Sequence, residues 1–96
     1  MKVSFDSAVR IPSHVLLQEL DDEAVLLQLR DELYFGLDPI GTTMWKRLTS
    51  APSIQAAFEL LESEFDVAPE RLRADLERLL GELFEHGLLE SCAIDS

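Results

Sequence analysis

The stretch that decides the fold is "LYFGLDPIGTTMWKRL", Leu33–Leu48. Its opening residues are aromatic and aliphatic and read as a strand, Asp38 and Pro39 turn a corner, and a helical pattern begins at once. Asp38 carries a good N-cap side chain, and Pro39 suits the first helical position, where its missing N–H would have no partner anyway. Ile40, Met44, Trp45 and Leu48 then recur at helical spacing and predict one buried face. Lys46 and Arg47 fall towards the C-terminal end, where cations favour the helix dipole. Tyr34 and Phe35 are adjacent in the strand and so point to opposite faces, which leaves neither face polar. What covers the second face is the question this sequence poses.

Working outward, the apolar residues before this stretch come in short runs, "HVLLQEL" and "AVLLQL", separated from each other and from "LYFGL" by "DDE" and "RDE". The pattern from Val9 to Leu37 predicts a three-stranded antiparallel meander. Neither link contains Gly or Asn, so loops longer than tight primed turns are expected. After the corner helix, "TSAPS" is a stop and Ser53 a cap for a second helix with the stripe Ile54, Ala57, Phe58, Leu61 and Phe65. Pro69 opens a third helix whose buried row is Leu72, Leu76, Leu79, Leu80 and Leu83. Gly87 ends it as a left-handed cap, and Leu88 and Leu89 fold back onto the core. Three strands followed by three helices make an α+β class protein. The expectation is one domain over residues 1–96, with its core at about 9–89.

Composition narrows the function. The net charge is −11 and the pI near 4.3, and so acidic a chain repels phosphate backbones. Nucleic acid is not expected as a partner. The one cysteine, Cys92, permits no intrachain disulfide and fits a reducing compartment. No signal-peptide pattern opens the sequence and no apolar run approaches spanning length, so a cytoplasmic protein without a membrane partner is expected. His14 and His86 lie in different elements and no metal-ligand spacing occurs. Cys92 has no cationic neighbours in sequence to activate it, and "FGLDPIG" lacks the Lys-Ser/Thr of a phosphate loop. No catalytic residue, metal or cofactor is predicted, and the chain is read as not an enzyme.

In the third helix each arginine has an acid four positions on: Arg71 with Asp75, Arg73 with Glu77, Arg78 with Glu82. Such pairs support a helix and cancel the field that would attract DNA. In a meander the third strand is terminal, so one row of its N–H and C=O groups is unpaired. "LYFGL" carries none of the Lys, Pro or bulge devices that blunt such edges. An open apolar edge invites an added strand, a recurring way to bind an extended peptide, and Gly36 lets a second backbone approach.

"YFGLDPIGTTMW" followed by "SIQAAFELLESEFDVAPERLRADLERLLGELFEHGLL" resembles the PqqD-like family, the RiPP recognition elements, over about Val9 to Leu89. The shared pattern is an aromatic-Gly-Leu-Asp strand end (Tyr34, Gly36, Leu37, Asp38), a helix with Gly41 and Trp45, and a link with Phe65 and Val67. A long helix with Asp75, Leu79 and Leu83 follows, closed by Gly87 and Leu88. The resemblance implies a winged helix-turn-helix fold without catalytic activity. It implies binding of a precursor's leader peptide as a strand added to the third strand, in a groove between that strand and the third helix. Carried over by position, the peptide-binding residues would be Leu33, Tyr34, Phe35 and Gly36 on one wall. Arg71, Leu72, Asp75, Leu76, Arg78 and Leu79 would form the other. The implied partners are the precursor peptide and the enzyme that receives it. "LYFGLDPIGTTMWKRL" looks more like the lasso-peptide version, which serves a cysteine leader peptidase. The alternative is the peptide chaperone of a radical SAM enzyme in pyrroloquinoline quinone biosynthesis. The link "RDE", without the glycine of either version, leaves the register of the third strand open. A winged-helix regulator and a homodimer joined through the strand edge are the competing classes.

Overall fold

The computed structural model describes residues 4–92. Strand β1 (Ala8–Arg10) precedes the meander β2 (Val15–Leu20), β3 (Glu23–Gln28) and β4 (Leu33–Leu37). Helices α1 (Pro39–Ser50), α2 (Ile54–Glu64) and α3 (Pro69–Glu85) follow, then β5 (Glu90–Cys92). The α+β reading holds: the meander is an antiparallel sheet in the order β2-β3-β4, and three helices come after it. The sequence reading missed a second, two-stranded ribbon, in which β1 pairs antiparallel with β5.

The register left open by the glycine-free link is Leu27 opposite Tyr34, Leu26 opposite Phe35 and Val25 opposite Gly36. Glu32, the last residue of that link, adopts φ 56 and supplies the left-handed turn that a glycine would otherwise make. The β2–β3 link corrects the expectation of a longer loop. Leu20 pairs directly with Glu23, so Asp21 and Asp22 alone make the turn, with Asp21 at φ 59. Asp tolerates that region because its short polar side chain can bond the local backbone.

The caps form as read. The Asp38 carboxylate accepts from the Gly41 N–H at 2.7 Å, and Ser53 Oγ accepts from the Ala56 N–H at 3.0 Å. Two further N–H groups at the start of α2 are satisfied from the N-terminal segment, Ile54 donating to Ser7 O and Gln55 to Phe5 O, both at 2.9 Å. Gly87 takes φ 69, and Leu88 and Leu89 are buried behind it. Trp45, Leu48, Leu61, Leu76, Leu80 and Leu83 from the three helices close on Leu26 and Leu37 of the sheet in one core.

That core begins earlier than Val9. Phe5 is buried in it, meets Phe58 edge-on at 5.8 Å, and carries the Arg73 guanidinium over its ring at 4.0 Å. Arg73 therefore covers an aromatic face, not the acid four residues on. Arg78 likewise turns back to Asp75 at 3.5 Å, and none of the i,i+4 pairs foreseen on α3 forms a salt bridge among the described residues. Ile40 also departs from its predicted place: at the first turn of α1 it stands 56% exposed.

Candidate functional site

Strand β4 is an edge of the sheet, so one side of its main chain has no strand partner among the described residues. Along it, Phe35 and Leu37 turn towards the helices and pack on the core, while Tyr34 points away and is 80% exposed. A Cβ built on Gly36 meets nothing within 4 Å, so the strand is bare at that point. The other sheet edge, β2, differs: Glu19 reaches Lys46 of α1 at 3.2 Å, and a charge turned inward is one of the devices that discourage pairing.

Where β4 runs into α1, a hollow opens between α1 and α3. Asp38, Ile40, Gly41 and Met44 form one wall; Asp75, Arg78, Leu79 and Glu82 form the other. It continues along α3 into a second hollow lined by Ile40, Met44, Phe65, Val67, Arg71, Leu72 and Asp75. Both combine an apolar floor with a few charged groups, the usual chemistry of a peptide groove. At the far end of α3, the Phe35 ring lies 5.9 Å from that of His86, which ties β4 to the helix terminus. Gln28 reinforces the same corner, donating to His86 O at 3.2 Å and accepting from the Asp31 N–H at 2.8 Å.

Of the residues carried over to this site, Arg71, Leu72, Asp75, Arg78 and Leu79 line the two hollows. Leu76 does not reach the surface: it is 0% exposed in the core. Leu33 and Tyr34 line a separate, smaller hollow with Leu27, Leu29 and Glu32, apart from the two hollows along α3. The reading overlooked the α1 wall, Ile40 and Met44, and Glu82 on α3. Ile40 could have been found, since an apolar residue one turn before Met44 and beside a cap often projects past the core. The ionisable groups displaced from their ordinary values lie elsewhere. Two hydrogen bonds of 2.6 Å join Arg47 to Glu64, lowering the Glu64 carboxyl below its usual range.

The fold and the open edge together define a small α+β protein with a meander packed on three helices and a bare terminal strand. The chain belongs to the PqqD family: the family described as coenzyme PQQ synthesis protein D matches residues 23–89. A structure of TbiB1 in complex with the TbiA(beta) leader peptide is similar to it, with TM-score 0.79 and 32% identity over 84% of this chain and 94% of that one. A lasso peptide synthetase B1 complexed with the leader peptide shares the fold, with TM-score 0.76 and 24% identity over 85% of this chain and 96% of that one. None of the curated proteins compared with the chain matches it at significance.

Proposed function

We propose that this protein captures the leader segment of a ribosomally synthesised precursor as a fourth strand on β4. It presents that segment to a processing or modifying enzyme, the leader peptidase of a lasso-peptide pathway. The observation that carries the reading is the unpaired apolar edge of β4, which runs into the hollows between α1 and α3. Main-chain hydrogen bonds to that edge would give affinity, and side chains seated in the hollows would give selectivity. The 32% identical neighbour, described as a complex with a leader peptide and matched over 94% of its length, supports the same use of this chain. A disordered leader loses conformational entropy on binding, so a few buried apolar anchors must dominate. Leu79, Ile40 and Met44 are placed to receive them.

The family match itself favours one second reading, a PqqD-type chaperone that delivers a peptide to a radical SAM enzyme in pyrroloquinoline quinone biosynthesis. The binding step is the same in both; the receiving enzyme differs.

The test is a calorimetric titration with the leader segment of the precursor encoded beside this chain, repeated with leaders N-methylated at single backbone positions. Strand addition predicts saturable binding that alternate N-methyl groups abolish and the intervening ones leave intact. Loss of binding in the Leu79→Asp variant would locate the anchors in the hollow beside α3. Uniform tolerance of N-methylation would exclude a strand on β4.

A further inference from the structure

The second face of the sheet, turned away from the helices, is apolar, and among the described residues nothing covers it. Alternation and register put Leu16 of β2, Leu27 of β3 and Tyr34 of β4 in one row across it, with Val25 and Leu20 beside them. Leu16 is 50% and Leu20 60% exposed. Single exposed leucines are ordinary, but a contiguous apolar patch rimmed by polar residues marks an interaction site. An antiparallel sheet with one solvated face normally shows polar residues there; this face offers only Gln18 and Glu23.

The rim indicates what covers it. Asp21, Asp22 and Glu23 stand exposed at one end of the patch, and Asp31 and Glu32 at the other, where Arg30 stands exposed beside them. A two-fold contact between copies would set acid against acid whichever way they were turned, on chains that each carry −11. An anionic lipid surface is repelled for the same reason. The complementary surface is that of a different protein, apolar at its centre and edged with lysine and arginine.

We propose that the outer face of the β2-β3-β4 sheet is a second docking surface, engaged by a basic-rimmed apolar patch on the enzyme that receives the peptide. The inference rests on the leader-carrying function above and adds where the receiving enzyme sits. The edge of β4 and the outer face are separate surfaces of the same sheet, so peptide and enzyme can be held together.

The experiment titrates the purified leader-processing enzyme encoded beside this chain with the wild type, with Leu16→Lys/Leu20→Lys and with Asp22→Lys/Glu23→Lys. Leader affinity and melting temperature are measured in parallel. Both variants should bind the enzyme about tenfold or more weakly, with leader affinity and melting temperature unchanged, and wild-type docking should weaken with added salt. Unchanged enzyme affinity in both variants, or no docking by the wild type, would overturn the proposal. So would a dimer seen by light scattering that Leu16→Lys/Leu20→Lys dissolves, since the patch would then belong to a second copy. Enzyme docking lost in the variants, with no leader binding by the wild type, would sink the leader-carrying function and leave this docking surface standing.

Discussion

Phe35 and His86 meet ring to ring, with centroids 5.9 Å apart and planes inclined at 47°. This one contact joins the strand that carries the open edge to the end of the helix that forms the opposite wall. Phe35 is half-buried against the core, so Phe35→Ala should cost about 2 kcal/mol, below the range for fully buried phenylalanines. Chemical denaturation would read the loss as a lower midpoint with an unchanged slope.

Gln28 is the buried polar residue of the same corner. Its amide donates to Asp31 Oδ2 at 2.8 Å as well as to His86 O. Gln28→Leu leaves the His86 carbonyl and the Asp31 N–H without that partner, and should lower stability by about 1–3 kcal/mol. Gly87→Ala should be comparably harmful, because φ is +69 there and a Cβ would come within 3.3 Å of Gln28 Nε2. Equal melting temperatures for wild type and both variants would contradict the role assigned to this corner.

The α1 cap is a third point of leverage. Asp38→Ala removes the acceptor of the Gly41 N–H, for an expected cost of about 1 kcal/mol. A Cβ at Gly41 would lie 3.1 Å from Asp38 Oδ1 and 3.3 Å from Leu37 Cδ2. Gly41→Ala should therefore disturb the cap from the other side, and the double variant should cost less than the sum of the two. Thermal unfolding of the three variants measures this coupling.

The pairing of Arg47 with Glu64 predicts a dependence on pH. The hydrogen bond from Arg47 is the leading cause that holds the Glu64 carboxyl below its ordinary 4.5, with charge attraction adding to it and desolvation opposing. A carboxyl whose folded value is depressed contributes stability above its unfolded value and loses it as pH falls through the folded one. Glu64→Gln should thus melt slightly below wild type at neutral pH, and the difference should vanish in acid below the carboxylate range. The bridge lies at the surface, where solvent reaches both side chains, so the effect is small.

What could be read from the sequence was what is local. Asp38-Pro39, Ser53, Pro69 and Gly87 act within a turn of themselves, and each sits where its chemistry placed it. The ribbon of β1 and β5 escaped notice because its strands have only three residues each and pair across nearly the whole chain. The two-residue turn at Asp21-Asp22 was hidden because the sheet holds an aspartate in a conformation that sequence rules reserve mainly for Gly and Asn. At the candidate site, the resemblance pointed to α3, but the spacing of its leucines left the rotation of that helix open. Leu72 and Leu76 shared a row with Leu79, yet Leu72 is 2% exposed and Leu76 fully buried. An aspartate at Leu72 would bury a charge and unfold the protein, so Leu79, half-buried at the lip of the hollow, is the position for probing the groove.

The ribbon has one more consequence. Ala8 stands opposite Cys92 in an antiparallel pair, which sets their Cα atoms about 5 Å apart, and Arg10 clasps Glu90 alongside at 2.6 Å. Both ends of the folded unit thus leave through a single door. Residues 5–92, which keep the buried Phe5 and its bond to the start of α2, could be spliced into a surface loop of an unrelated enzyme, with the ribbon holding the two junctions near each other.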